Sequence, residues 1–164
     1  MSRAEHIGIR PAVEADIPLI HAFICELAEY EKLRHEVVVT EERLLRTLFG
    51  VERRAEVLIA SLANEPVGFA LFFHNYSTFL GLPGIYLEDL YIRDEARGQG
   101  VGRRLLSCLA NLAVERGCGR LEWWVLDWND PAIRFYKSLG ATPMDDFTIF
   151  RLTGEALERL AGEG

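Results

Sequence analysis

The sequence contains no apolar run long enough to cross a membrane, and its first residues, M-S-R-A-E-H, carry no hydrophobic signal-peptide segment. Cysteine is scarce. Cys25, Cys108 and Cys118 form neither a C-x-x-C pair nor an even-numbered framework. A disulfide scaffold is excluded, and the three read as reduced core or helix residues of a cytoplasmic protein. Four scattered histidines make no His/Cys cluster at metal-ligand spacing, so no metal is expected. Positive charge is also short: 18 Lys and Arg against 25 Asp and Glu leave a net charge of −7. A sequence-independent nucleic-acid binder needs a basic stripe, so neither nucleic acid nor membrane is expected as a partner. An acidic cleft that draws a small cationic molecule is compatible with this balance. No internal repeat, low-complexity tract or linker divides the chain.

The 164 residues, 49% hydrophobic and 26% charged, suit one domain, 1–164, with a sizeable core. A first strand over His6–Arg10 stops at Pro11. Asp16 is placed to cap a helix in which Leu19, Ile20, Phe23, Ile24, Leu27 and Ala28 recur at helical spacing up to about Glu31. Thr40 caps a second helix that ends at Gly50, with Glu41 and Glu42 in its first turn. Three strands follow, Ala55–Ala63, Pro66–Tyr76 and Ile85–Ile92, as an antiparallel meander whose first hairpin turn is Asn64-Glu65. A helix with Val101, Leu105, Leu109, Leu112 and Ala113 on one face comes next. Then come a strand over Leu121–Leu126, a short helix over Ala132–Leu139 capped by Asp130, a last strand within Thr142–Leu152, and a C-terminal helix capped by Thr153.

The stretch Glu88–Gly102, E-D-L-Y-I-R-D-E-A-R-G-Q-G-V-G, joins a strand to a helix through a glycine-rich turn. The free N–H groups of such a turn and of the first helical residues converge, and the helix dipole adds positive charge, so a phosphate or pyrophosphate fits there. A Walker A loop requires Lys-Ser or Lys-Thr after the glycines, and neither is present. Gly98, Gly100 and Gly102 fall as G-x-G-x-G rather than the dinucleotide fingerprint G-x-G-x-x-G, and they lie past mid-chain.

The remaining pattern, Arg97-x-x-Gly100-x-Gly102 after a strand, resembles the pyrophosphate loop of the GNAT superfamily of N-acetyltransferases. N-D-P-A-I-R-F-Y-K-S-L-G-A, from Asn129 to Ala141, resembles that superfamily's second signature, and the two stand in the expected order. I-R-P-A with a following Asp, E-L-A-E-Y-E, V-G-F-A, Y-L-E-D-L-Y-I and W-N-D-P-A-I-R-F-Y-K are similar to the diamine (spermidine/spermine) acetyltransferase branch and its thialysine-acetylating relatives. After Gly140 the match weakens: the branch has a Trp and adjacent acids, whereas M-D-D-F-T-I-F puts Phe147 near the Trp position and leaves Asp145 and Asp146 to replace the acids.

The resemblance implies an α/β (α+β) GNAT acyl-CoA N-acyltransferase fold, with a mixed, mostly antiparallel sheet flanked by helices and two middle strands splayed apart. It implies acetyl-CoA as cosubstrate, a small-molecule amine as acceptor and a homodimer. Arg97, Gly98, Gln99, Gly100, Val101, Gly102 and Arg103 would cradle the pyrophosphate, the backbone of Leu90, Tyr91 and Ile92 would hold the pantetheine, and Asn129 would bond the cofactor arm. Tyr136 would protonate the departing thiolate. The acceptor arrives as an ammonium and must lose a proton before it attacks. Glu88 is the candidate base, through water. Asp89 is its strand neighbour and points to the opposite face by alternation, while Tyr30, Glu31 and Glu122 are candidates for holding the substrate. Two other readings remain open at this point: a protein lysine or N-terminal acetyltransferase, and a catalytically silent acyl-CoA-binding module.

Overall fold

The computed structural model describes residues 6–164, in two compact units that divide after Trp124. In the first, β1 (Ile7–Pro11), β2 (Glu56–Leu62), β3 (Glu65–Ser77), β4 (Leu82–Ile92) and β5 (Leu121–Trp123) form one sheet in chain order. The first four are antiparallel, and β5 lies parallel to β4. The helices of this unit are α1 (Ile17–Tyr30), α2 (Glu41–Leu48) and α3 (Val101–Glu115). The mixed, mostly antiparallel sheet and its flanking helices are as the sequence implies.

Alternation along the strands builds two cores. Val57, Ile59, Phe69 and Tyr91 pack with Ile17, Ile20, Phe23 and Leu27 of α1 and with Leu44 and Leu48 of α2. Phe23 stacks on Phe69 with ring centroids 5.5 Å apart. The residues between these, Leu58, Ala60, Ala70 and Phe72, are buried on the opposite face, and α3 supplies a stripe of buried Val101, Leu105, Leu106, Leu109 and Ala113. Gly68 is required where β3 crosses β4, because a Cβ there would run into the Tyr91 carbonyl.

Several local expectations are corrected. Asp16 does not cap α1. Its carboxylate takes two bonds from Arg10, at 2.7 and 2.8 Å, and one from the Val13 N–H, so the I-R-P-A…D pattern encodes a clamp between β1 and the start of α1. The first hairpin turns at Ala63-Asn64, with φ of +50° and +68°, one residue earlier than expected. Thr40 does cap α2, accepting from the Arg43 N–H at 3.2 Å. β5 stops at Trp123 instead of Leu126.

The second unit, Val125–Gly164, holds α4 (Asp130–Ser138) and α5 (Gly154–Ala161). Asn129, not Asp130, caps α4, its side chain accepting from the Ala132 N–H at 3.4 Å. Thr153 precedes α5 without a capping bond. The strand expected within Thr142–Leu152 is not formed. A strand is stable only on a ladder, and no described residue pairs with this segment; Pro143 and the turn at Asp145-Asp146 also interrupt it.

Candidate active site

The glycine-rich turn folds as its residue types dictate. Gly98 and Gly100 take φ of +73° and +88°, the left-handed region that a side chain strains to enter. Nothing lies within 4 Å of the position a Cβ would occupy at either, so there is open space beside both glycines. The first backbone bond of α3 runs from the Arg104 N–H to the Gly100 carbonyl at 3.0 Å, which leaves the N–H groups of Val101, Gly102 and Arg103 without an intrahelical acceptor. This is an anion cradle of backbone donors at the positive end of a 15-residue helix. The Arg97 guanidinium is engaged elsewhere: it donates to the Ile92 carbonyl at 2.9 Å, pairs with Asp94 at 2.8 Å and lies 4.5 Å over the Tyr30 ring. Arg97 therefore brings backbone to the turn while its side chain ties it to the end of α1.

The strand leading into the turn is splayed from its neighbour. β4 pairs with β5 only from Ile85↔Leu121 to Leu87↔Trp123, so Glu88–Ile92, including Leu90, Tyr91 and Ile92, has β3 on one side and, among the described residues, no paired strand on the other. The splay coincides with a bulge. Leu71 faces Asp89 and Phe72 faces Leu87, which leaves Glu88 without a partner across the ladder. The expected opposition of Glu88 and Asp89 is thereby lifted, since an extra residue in the strand resets the alternation. Asp89 shares the face of Leu71 and Tyr91, the α1 side, with Glu88 close enough to raise its pKa and disfavour its ionised form.

Four carboxylates come within electrostatic reach on this face. Burial first, then Glu88, then Glu31 at the C-cap of α1, push the Asp89 carboxyl up to about 7. Glu31 is itself raised by burial. Tyr86, two residues before Glu88, is held un-ionised by burial, then by Glu88, Glu122 and Asp89. Glu122 is fixed by Arg120 at 3.0 Å and by the Asn75 side-chain amide at 3.3 Å, so its charge is already shared. The expected residues Tyr30, Glu31, Glu88, Asp89 and Glu122 all lie in the first unit, around the α1 terminus, the bulge and β5. Tyr86 was missed; the signal was the alternation of Y-L-E in β4, which puts it on the side of Glu88.

A set of free backbone donors, a splayed strand edge and a cluster of carboxylates suit a reaction between an acyl-CoA and an amine, and comparison with known proteins decides the family. Residues 21–141 match the family model for the acetyltransferase (GNAT) family. The chain belongs to the GNAT family. It lies in the diamine-acetyltransferase-like branch of the GNAT proteins, whose acetyltransferases use acetyl-CoA as cosubstrate, and it is an N-acetyltransferase of small amines. Over 168 residues it is 41% identical to thialysine N-epsilon-acetyltransferase of Bos taurus, covering 96% of this chain and 98% of that protein. It is 33% identical to L-ornithine N5-acetyltransferase NATA1 of Arabidopsis thaliana, covering 93% and 86%. Among solved structures it is similar to the integron cassette protein VCH_CASS6 of V. cholerae, with a TM-score of 0.79 and 27% identity over 95% of this chain and 98% of that one.

The second GNAT signature falls in the second unit. Asn129 is 8% exposed and caps α4. Tyr136 is in the second turn of α4 beside Phe135, ring centroids 5.6 Å apart. The open cradle and the unpaired edge fit the diphosphate and the amide-bearing arm of a CoA thioester. Among the described residues no group of three or more His, Cys, Asp or Glu is placed to hold a metal ion, and no helix is long and apolar enough to cross a membrane.

Proposed function

We propose that this GNAT enzyme moves the acetyl group of acetyl-CoA to the side-chain or terminal amine of a small cationic acceptor: thialysine, ornithine or a similar amino acid, or a polyamine. The observation that carries the reading is the convergence of Glu31, Glu88 and Asp89 at the bulge of β4, next to the splayed edge and the turn. A cluster of carboxylates of this kind attracts a dication.

The roles follow from the chemistry. Bound acetyl-CoA supplies an acetyl thioester. The N–H groups of Gly98–Arg103 hold its diphosphate, and the free edge of Leu90–Ile92 pairs with its amide-bearing arm. Glu31, with Tyr30 beside it, takes the acceptor's remote ammonium, and Glu122 adds negative potential from β5. Glu88 receives, through water, the proton that the reacting ammonium must lose, and Asp89 adjoins it as a second carboxylate poised between its two charge states near neutrality. The freed amine forms the new C–N bond as the C–S bond breaks. Tyr136 and Asn129 enter on the match to the signature: the Tyr136 hydroxyl gives its proton to the thiolate, and Asn129 steadies the cofactor arm.

The enzyme works as a homodimer in this reading, supported by the apolar side chains that the second unit leaves in solvent. A cytoplasmic setting is supported by three free cysteines.

The test is thiol release from acetyl-CoA with thialysine, ornithine, lysine, spermidine, spermine, putrescine and a basic peptide as acceptors. Turnover on at least one small amine, lost in Tyr136→Phe with acetyl-CoA affinity retained, is expected. Turnover on the peptide alone would turn the reading to a protein acetyltransferase. Binding of acetyl-CoA with no turnover on any acceptor would leave a silent acyl-CoA module.

A further inference from the structure

A second cavity lies at the far end of α3. The cradle is at Val101 and Arg116 is the C-cap, so a 15-residue helix, roughly 22 Å at 1.5 Å per residue, separates the two. The cavity holds about 130 Å³. It opens where β1 ends at Pro11 and β2 begins, under the last turns of α2 and α3. Its apolar walls are Leu48, Phe49, Val57, Leu58, Phe72 and Leu112, four of them at most 7% exposed, and Arg53, Glu56 and Arg116 also line it. An open bowl at the mouth is lined by Arg53, Arg54, Ala55, Glu56 and Arg116.

The charge of this mouth runs against that of the protein. Three guanidinium groups meet one carboxylate, in a chain of net charge −7. Glu56 receives two bonds from Arg116, at 2.7 and 3.0 Å, and pairs with Arg53 at 3.5 Å. Arg116 first, then Arg53 and His74, keep its carboxyl below the usual range, so it stays ionised and holds these arginines in place. Glu115 also lies within electrostatic reach of Arg116, and the two carboxylates still leave one of the three guanidinium groups in surplus. Arg54 pairs with no acid among the described residues, and its backbone is fixed by donation to the Thr47 carbonyl at 2.8 Å. A recess with apolar walls and a charged rim of Arg53, Glu56 and Arg116 is shaped for a molecule with a short apolar body and a terminal anion.

We propose that this cavity binds a small organic carboxylate whose chain fills the recess while its carboxylate takes paired bonds from Arg53 and Arg54. At roughly 30 Å³ for each water-sized group, the volume admits about four carbon-sized groups, the length of butyrate or valerate. Guanidinium and carboxylate match in a planar two-bond geometry, which selects this head group over an alcohol. The site stands apart from acetyl transfer and does not depend on the acceptor assigned above.

The test is an amide NMR titration of the whole protein with valerate, with 1-pentanol and inorganic phosphate as tail-only and charge-only controls. Saturable shifts at Arg53–Leu58 and Leu112–Arg116 are expected, without shifts at Gly98–Arg103. Both controls should bind at least about tenfold more weakly, and Arg53→Gln/Arg54→Gln should weaken valerate by about tenfold or more. Both arginines are exposed, and Arg116–Glu56 remains in that variant, so its fold is retained. Absence of saturable shifts, shifts confined to the cradle, or equal affinity in the double variant would each overturn the site.

Discussion

At the scale of single residues, Asp89 is the group whose environment departs furthest from water. Its carboxyl lies on the α1 side of a bulged strand, within electrostatic reach of Glu88 and Glu31, and its pKa is displaced from 3.8 to about 7. That displacement is worth roughly 4 kcal/mol against the charged form in the folded state. The folded protein binds the proton more tightly than the unfolded chain, so the stability linked to Asp89 is fully present below about 4 and is lost as pH rises to about 7. Asp89→Asn removes a charge that folding must desolvate. It is expected to raise the melting temperature at pH 8 by more than at pH 5, with a gain of about 1–3 kcal/mol at the higher pH, while lowering acetyl transfer. Equal effects at both pH values in thermal melts would show that Asp89 ionises as in water. In the same window the wild type should gain kcat/KM as pH rises through about 7, because the ionised pair is the form that can accept the acceptor's proton.

At the scale of elements, the strand–turn–helix unit was the most legible part of the chain, because its chemistry is local. Positive φ at Gly98 and Gly100 and a helix start at Val101 are dictated by residue types at fixed spacing. Gly100→Ala forces a side chain into φ of +88°. It is expected to cost about 1–2 kcal/mol of stability and to weaken acetyl-CoA binding by tenfold or more, read by calorimetry; unchanged affinity would mean that the turn does not hold the diphosphate. What the sequence hid is non-local. Nothing in E-D-L-Y announces that Glu88 will be skipped by its partner strand, since a bulge depends on the register of both strands. The clamp of Asp16 on Arg10 hid behind a capping signal for the same reason: one carboxylate can serve a helix N-terminus or a nearby guanidinium, and tertiary geometry chooses. Alternating apolar residues over 142–152 suggested a strand, but alternation specifies a face, and a strand also needs an edge to pair with.

At the scale of the whole molecule, that unpaired segment supports the homodimer proposed above. Within Val125–Gly164 only Asn129 is buried. Met144, Phe147, Ile149, Phe150 and Leu152 are 61, 74, 55, 92 and 45% exposed, followed by Leu157 and Leu160 on α5 at 50 and 56%. About 40 residues without a core are not expected to hold a defined structure unaided, and exposed large apolar side chains in this number favour an association surface. Each phenylalanine brings about 150–250 Å² of surface, so these seven side chains approach the roughly 800 Å² per partner of a stable interface. A second copy of the chain presents the same surface, and a two-fold pairing lets each segment cover the other. Phe147→Glu/Phe150→Glu is therefore expected to convert a dimer to a monomer in sedimentation, and to lower the melting temperature with it, because charge introduced into a desolvated apolar contact finds no partner. Both positions face solvent in the single chain, so a variant that keeps its mass and melting temperature would place the dimer contact elsewhere, and a wild type that sediments as a monomer would remove the dimer altogether.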